Sequence, residues 1–481
     1  MVRPARHSKN DCGSMIFGVA KMKLNLLPFC ISLALAQSVG TFTPTGSMTT
    51  ARWNHTATLL PNGKVLIVGG VRESGGASAE LYDPSTGTFT VTGNTIVAQK
   101  WHTATLLADG RVLITDRDGN AELYDPSAGT LSTAPKSLGG RLYPVGTLLA
   151  DGRVLLVQLA ECCYDVAANA ELYDPVTGSF TPTVAMTSSV FYGNHTANLL
   201  ADGRILIQSF PTAALYDPLT GAFTEAGVMR SAAHSTATLL MNGKVLYAGG
   251  DDDSGASASA EVYDPSKAIF APTGSMTAAR SDHTSTLLSD GTVLVTGSNG
   301  QTPVGAEIYD PAPGTFAPAG EMTVSRRIHT ATLLNDGRVL ITGGISEVAP
   351  QVWAAVSSAE IYTPARLVPV PALLSLSGDG QGQGTILHAG TSDVVSATNP
   401  VGAGEVLELY CRGLAENSVI PPQVSIGGRA AEVVFFGKAP GYESLNQVNV
   451  RVPEGIPPGP TVPVRLTYLG RYSNEVTMGV K

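Results

Sequence analysis

The sequence predicts an all-β protein: a seven-bladed β-propeller closed by its own N-terminal strand and followed by a β-sandwich. Three observations predict it. A segment of the form His55-Thr-Ala-Thr-Leu-Leu-Pro-Asn-Gly-Lys-Val-Leu-Ile-Val recurs seven times, with its turn at Asn62-Gly63, Asp109-Gly110, Asp151-Gly152, Asp202-Gly203, Asn242-Gly243, Asp290-Gly291 and Asp336-Gly337. A second segment, Glu80-Leu-Tyr-Asp-Pro, returns at Glu122, Glu171, Ala214, Glu261, Glu307 and Glu360. A third, Thr88-Phe89-Thr90, follows only the first six copies, while Thr41-Phe42-Thr43 stands alone ahead of the first.

Equivalent leucines from Leu59 to Leu333 recur about every 46 residues, the spacing of propeller blades. Asn-Gly and Asp-Gly between β-rich runs call for two-residue hairpins, because both turn positions need φ > 0. Tyr-Asp-Pro-x-x-Gly is a second turn, in which Pro fixes φ, Asp bonds the turn backbone and Gly takes the strained position. Each copy therefore yields four strands: a (His-Thr-Ala-Thr-Leu-Leu), b (Lys-Val-Leu-Ile-Val), c (Ala-Glu-Leu-Tyr) and d (Thr-Phe-Thr). A four-stranded blade has two apolar faces and needs a neighbour on each, which radial repetition supplies. The seventh copy lacks strand d, so Thr41–Thr45 is expected to pair with strand c near Glu360–Tyr362.

Gly69-Gly70, Gly249-Gly250 and Gly343-Gly344 end strand b, an aromatic-Asp-Pro follows, and Arg52, Arg280 and Arg326 precede strand a. This pattern resembles the Kelch repeat over residues 39–364, with Phe where many Kelch repeats carry Trp. Copy three departs from it with Pro144 at the His position, and copies two, three, four and six lack the double glycine.

Residues 22–36 have a basic start, an apolar run and a small-x-small end, the form of a secretory signal cut after Ala36. Residues 1–21 read as an over-called start, with Met22 the initiator. The apolar run is too short to span a bilayer, which takes about 20 residues, and Phe29 before Cys30 argues against a lipoprotein anchor. Removing residues 1–36 leaves 25 basic and 38 acidic residues, a net charge of about −13, which argues against nucleic acid and anionic membranes as partners. Cys162, Cys163 and Cys411 remain and make no disulfide framework; the adjacent pair could form a vicinal bridge or stand as two small residues. After a Pro-rich linker at 365–371, short runs at 404–411, 423–427, 431–436 and 462–468 predict an immunoglobulin-like sandwich over residues 372–481. The segments from Val424 to Val433 and from Leu445 to Pro453, with Pro458-Gly-Pro, resemble a C-terminal domain of secreted bacterial proteins that has no assigned chemistry.

The a–b and c–d turns are nearly constant and share one face. The b–c connections vary widely and lie on the other face, with the d–a connections. Variable loops on a rigid scaffold are where binding residues sit, so that face is the candidate for recognition; its longest loops are 158–169 and 343–358.

His55, His102, His195, His234, His283 and His329 fall at or next to the start of strand a, the innermost strand, and are expected to ring the channel mouth. They suit either a ligand ring or repeated bonds to the neighbouring blade. The repeated Glu residues and Arg52, Arg141, Arg230, Arg280 and Arg326 read as inter-blade ion pairs, since an active site needs different residues in different roles. Asp251-Asp252-Asp253 reads as an acidic loop tip, or as a site for a hard cation.

The joining of a Kelch-type propeller to a sandwich also resembles galactose oxidase, a copper enzyme. That family needs a Tyr-His pair, a second His from the last domain and a Cys linked to a Tyr. His388 and Cys162 lie in the right regions, but no His here follows a Tyr. No nucleophile elbow, phosphate loop or zinc-spaced cluster is present. The sequence thus predicts a secreted, non-catalytic binding propeller without a cofactor, a monomer recognising an extracellular protein or glycan through its variable face. The alternatives are a copper-dependent oxidase resembling galactose oxidase and a structural or adhesive cell-surface protein.

Overall fold

Each Asn-Gly or Asp-Gly pair reverses the chain, but not as the expected two-residue turn with two positive φ values: the glycine alone is left-handed, and Leu60 N donates to Lys64 O at 2.8 Å while Gly63 N donates to Leu60 O at 2.9 Å, a three-residue loop of a type I turn and a left-handed Gly. Gly63 and Gly110 have φ of 80° and 90°, and the Asp109 carboxylate accepts the Arg111 N–H at 2.9 Å across the turn. The flanking runs pair antiparallel, Thr56 opposite Val68 and Leu59 opposite Val65. At the second turn the Asp83 carboxylate accepts the Ser85 N–H at 3.0 Å, and Gly87 takes φ 69°.

The computed structural model describes residues 40–70, 78–95, 101–137, 142–159, 169–184, 195–230, 233–252, 255–297, 305–349 and 351–481. The expected signal segment, Arg141, Cys162, Cys163 and Asp253 lie outside them. Seven four-stranded antiparallel sheets form a propeller. Blade 1 comprises Thr56–Leu59, Val65–Val68, Ala79–Asp83 and Thr88–Gly93, and blades 2 to 6 repeat this order from His102, Leu142, Thr196, Thr236 and Thr284. Blade 3 carries Pro144 in its inner strand, and the ladder shifts register between Leu142 and Val145, since Pro has no N–H to pair. Among the described residues no helix is long and apolar enough to cross a membrane.

Blade 7 takes Thr330–Leu333, Val339–Thr342 and Ala359–Thr363 from the end of the repeats and Thr41–Pro44 from the start. Thr41 faces Thr363 and Phe42 faces Tyr362 in this last ladder. The ring is closed by its N-terminal strand.

The core lies between blades. Strand b is buried along its whole length, as with Val65–Val68, because a neighbouring sheet covers each face. One cluster joins Leu59, Val65 and Ile67 of blade 1 to Leu340 and Ile361 of blade 7. On each outer hairpin a Tyr of strand c meets a Phe of strand d, as Tyr82 meets Phe89 at 4.8 Å between centroids; such pairs contribute about 0.5–1.5 kcal/mol beyond area burial.

The C-terminal part is one eight-stranded, sandwich-like sheet. Strand Arg429–Lys438 bends at a bulge between Val433 and Phe435. Its first residues pair with Gln423–Ile426 and the rest with Asn446–Arg451, so one strand serves both layers, as bulged strands do at sandwich corners. This sheet packs against the propeller's constant-turn face. Tyr472 N donates to Asn335 Oδ1 at 2.9 Å, Tyr472 Oη donates to Leu59 O at 3.3 Å, and Val419 N donates to Met241 O at 2.9 Å. Arg471 is buried and donates to Val368 O of the Pro-rich stretch at 2.8 Å.

Candidate functional site

Five of the six histidines singled out in the sequence are buried and bonded to the preceding blade. His55 Nε2 lies 3.0 Å from both Thr330 Oγ1 and Thr342 Oγ1 of blade 7. His102 Nε2 lies 3.1 Å from Thr56 Oγ1 and 3.1 Å from Val68 O. His195 approaches Val157 O at 3.4 Å, His283 approaches Thr236 Oγ1 at 3.1 Å, and His329 approaches Thr284 Oγ1 and Thr296 Oγ1 at 3.1 Å. Burial in a low-dielectric seam disfavours the charged imidazole. It lowers His55 and His283 to about 3, with nearby arginines adding to the effect. His102 and His195 are lowered to about 4.

His234 differs. Ser235 occupies the place that His holds in the other copies, and His234 stands one residue earlier, half-exposed.

The repeated Arg and Glu residues clamp the connections between blades. Arg280 pairs with Glu307 at 2.8 Å, and Glu307 also accepts Thr277 N–H at 2.7 Å from the loop entering that blade. Arg326 pairs with Glu360 at 3.0 Å, and Arg52 with Glu80. All these side chains are essentially inaccessible to solvent.

The residue preceding the His position has left-handed backbone geometry in five copies: Asn54, Trp101, His234, Asp282 and Ile328 have φ between 50° and 58°. For a branched side chain such as Ile328 this conformation costs roughly 1–2 kcal/mol. Backbone hydrogen bonds between blades hold it, since Ile328 N donates to Asp282 O at 2.9 Å and Asn54 N to Ile328 O at 3.4 Å. The geometry repeats, but the side chains do not.

On the variable face these positions assemble one mixed constellation from blades 5, 6 and 7. His234 Nδ1 lies 3.3 Å from Asp251 Oδ2. Asp251 is fixed by its backbone, whose N–H donates to Ala233 O at 2.7 Å; Gly250 lets the chain pass there, because a Cβ on it would sit 2.8 Å from Ser235 N. Asp282 Oδ2 lies 3.7 Å from Arg327 Nη1, and the Arg327 guanidinium lies over the Trp353 ring at 4.7 Å. Trp353 sits on the hairpin Ile345–Ala349/Val352–Ala355, built from the long loop of blade 7. Desolvation raises the Asp282 carboxyl above its ordinary range, the Arg327 charge opposes this and the Asp251 charge adds to it. Below the constellation an open cavity of about 520 Å³ is lined by the first residues of the inner strands, among them Thr56, Thr103, Thr196, Thr284 and Thr330, with His234 at its edge; the Thr56, Thr284 and Thr330 hydroxyls are engaged in the blade seams with His102, His329 and His55.

No family model matches the chain, and no curated protein matches it in sequence. Among solved structures it is similar to a fungal alcohol oxidase of the AA5 family in complex with copper, at 16% identity and a TM-score of 0.58, over 92% of this chain and 100% of that one. The shared feature is the fold. This finding corrects the expectation that the chain is not an enzyme. That expectation rested on finding no catalytic constellation along the sequence, yet the architecture that a copper oxidase uses extends over nearly the whole chain.

The described donors do not fit a copper centre. Among the described residues no three His, Cys, Asp or Glu side chains gather closely enough to hold a metal ion. The five buried imidazoles are spent one per blade interface. His388 pairs with Glu405 at 3.4 Å on the sandwich and does not line the channel cavity. Cys411 is buried in the sandwich core, which pushes its thiol up to about 12. Sequence reasoning missed Asp282, Arg327 and Trp353; the signal available was a repeated position filled by unlike residues.

Proposed function

We propose that the chain is an enzyme of the alcohol-oxidase kind, acting on a hydroxyl-bearing substrate at the variable-loop mouth of the channel. The observation that supports this most is the correspondence with a copper alcohol oxidase along that protein's entire length. The open cavity of about 520 Å³ has room for a small hydroxyl-bearing molecule. The sandwich packs against the opposite face, so the variable face is the natural entrance. No step is assigned to a metal, because the described donors do not assemble one.

The Kelch assignment of the repeats, the immunoglobulin-like assignment of residues 372–481 and export through residues 22–36 belong to the same reading. They are supported by the repeated Arg, double-glycine and aromatic-Asp-Pro motifs, by the strand pattern, and by the apolar run ending at Ala36.

The test measures oxygen uptake and peroxide release over a panel of primary and secondary alcohols. The protein is used as purified and after copper loading, with bound metal quantified. Turnover of at least one alcohol is expected. Its complete lack in both states would overturn the reading.

A further inference from the structure

Resting on the alcohol-oxidase reading, we infer that His234 is the general base that takes the hydroxyl proton of the substrate, with Asp251 as the residue that positions it.

Two departures from the repeat fall in blade 5 and meet there. The imidazole stands one residue early, at His234, with Ser235 in the seam place. A carboxylate follows the double glycine as Gly249-Gly250-Asp251, where blade 7 has Gly343-Gly344-Ile345. Both blades tie these segments together by the same backbone bridge, Ala233 with Asp251 and Arg327 with Ile345. Blade 7 makes this joint with Ile328 and Ile345 at the matching positions, so folding does not require a His–Asp pair there. His234 Nδ1 lies 3.3 Å from Asp251 Oδ2. An ionised carboxylate only accepts, so the imidazole proton sits on Nδ1 and the lone pair on Nε2. A carboxylate so placed fixes that tautomer and offsets the charge that forms when Nε2 is protonated.

Among the described residues the cavity offers no other base. Its titratable lining residues are His55, His234, His283 and His329. His55, His283 and His329 engage Nε2 with Thr hydroxyls in the seams. Burial holds His55 and His283 at about 3 and His329 well below its ordinary value, and bases that weak take a proton poorly near neutral pH. Asp282 stands at the same mouth but is tied to Arg327. Oxidation of an alcohol must shed the hydroxyl proton, and here it passes to His234 Nε2: the O–H bond breaks, its electron pair stays on oxygen and an N–H bond forms. The carbon-bound hydrogen then leaves with two electrons to dioxygen as terminal oxidant. A carbonyl remains, and the imidazolium proton completes hydrogen peroxide.

The test uses the full chain on the alcohol it turns over fastest, with unfolding midpoints measured alongside. His234→Gly suits the local φ of 58°. It should lower kcat about 100-fold, the scale of a lost general base, and free imidazole should restore part of the rate, which a structural role would not allow. Asp251→Asn should lower kcat with KM unchanged. His388→Gln, which removes the imidazole paired with Glu405 on the sandwich, leaves the rate unmoved. Should His234→Gly fail to fold, the unaltered chain carries the test: diethyl pyrocarbonate acylates His234, located by mass spectrometry, and turnover falls in step with it. Undiminished turnover in His234→Gly, a loss that imidazole does not restore, or turnover that survives acylation of His234 overturns the assignment. Each of these leaves the enzyme reading standing, whereas no turnover of any alcohol by the unaltered chain sinks that reading and this step with it.

Discussion

Phe42 faces Tyr362 across the last blade with ring centroids 4.8 Å apart, joining the beginning of the ring to its end. The same Tyr–Phe contact recurs within single copies, as between Tyr309 and Phe316 at 4.8 Å. Closure thus reuses an ordinary blade contact and makes it long-range. Because the partners come from opposite ends of the repeats, forming this contact closes a loop that spans all seven blades.

Phe42→Ala should therefore lower stability by about 2–3 kcal/mol, below the 3–5 of a fully buried Phe because this ring is half-exposed. The equivalent change Phe316→Ala, inside a single copy, should leave the ring closed. Denaturant unfolding with limited proteolysis near residue 45 checks this. Equal protease resistance in both variants would count against closure by the N-terminal strand.

The buried clamps give a second expectation. Arg280→Ala leaves the Glu307 carboxylate buried without its partner, and the cost should be about 3–5 kcal/mol. The exposed turn pair Arg338–Asp336 at 2.6 Å should contribute no more than about 1 kcal/mol when Arg338 is truncated. Thermal unfolding of the two variants separates them.

A third concerns pH. The buried imidazoles have folded values near 3–4, while an unfolded His titrates near about 6.5. Between these values the unfolded chain binds protons that the folded chain refuses, so stability rises with pH. The contribution is complete above about 6.5 and is lost as pH falls toward 3–4. Midpoints of thermal unfolding between these limits should drop steadily on acidification, and a flat profile would contradict the burial of the five rings.

A fourth tests the seating of the sandwich. Tyr472 is buried against Leu59 and Leu340 of the propeller, so Tyr472→Ala should cost about 3–5 kcal/mol. It should also expose the Pro-rich stretch near Val368 to protease. Cleavage there that matches the unaltered chain would show that the two parts do not depend on this contact.

The sequence itself determined the number of blades, their strand order and the closing partner of Thr41–Pro44. These follow from local chemistry repeated at a fixed period: glycines that must take positive φ, prolines that fix a turn, and apolar runs that one blade cannot bury alone. It also placed the histidines near the inner strands, because their spacing follows that period. Tertiary structure decided what those positions do. A single-residue offset turns five imidazoles into the blade seams and leaves His234 on the rim. The contact of Asp251 with His234, and of Arg327 with both Asp282 and Trp353, depends on how blades 5, 6 and 7 are angled about the axis. No local propensity encodes that angle; it is set by packing seven sheets into a closed circle.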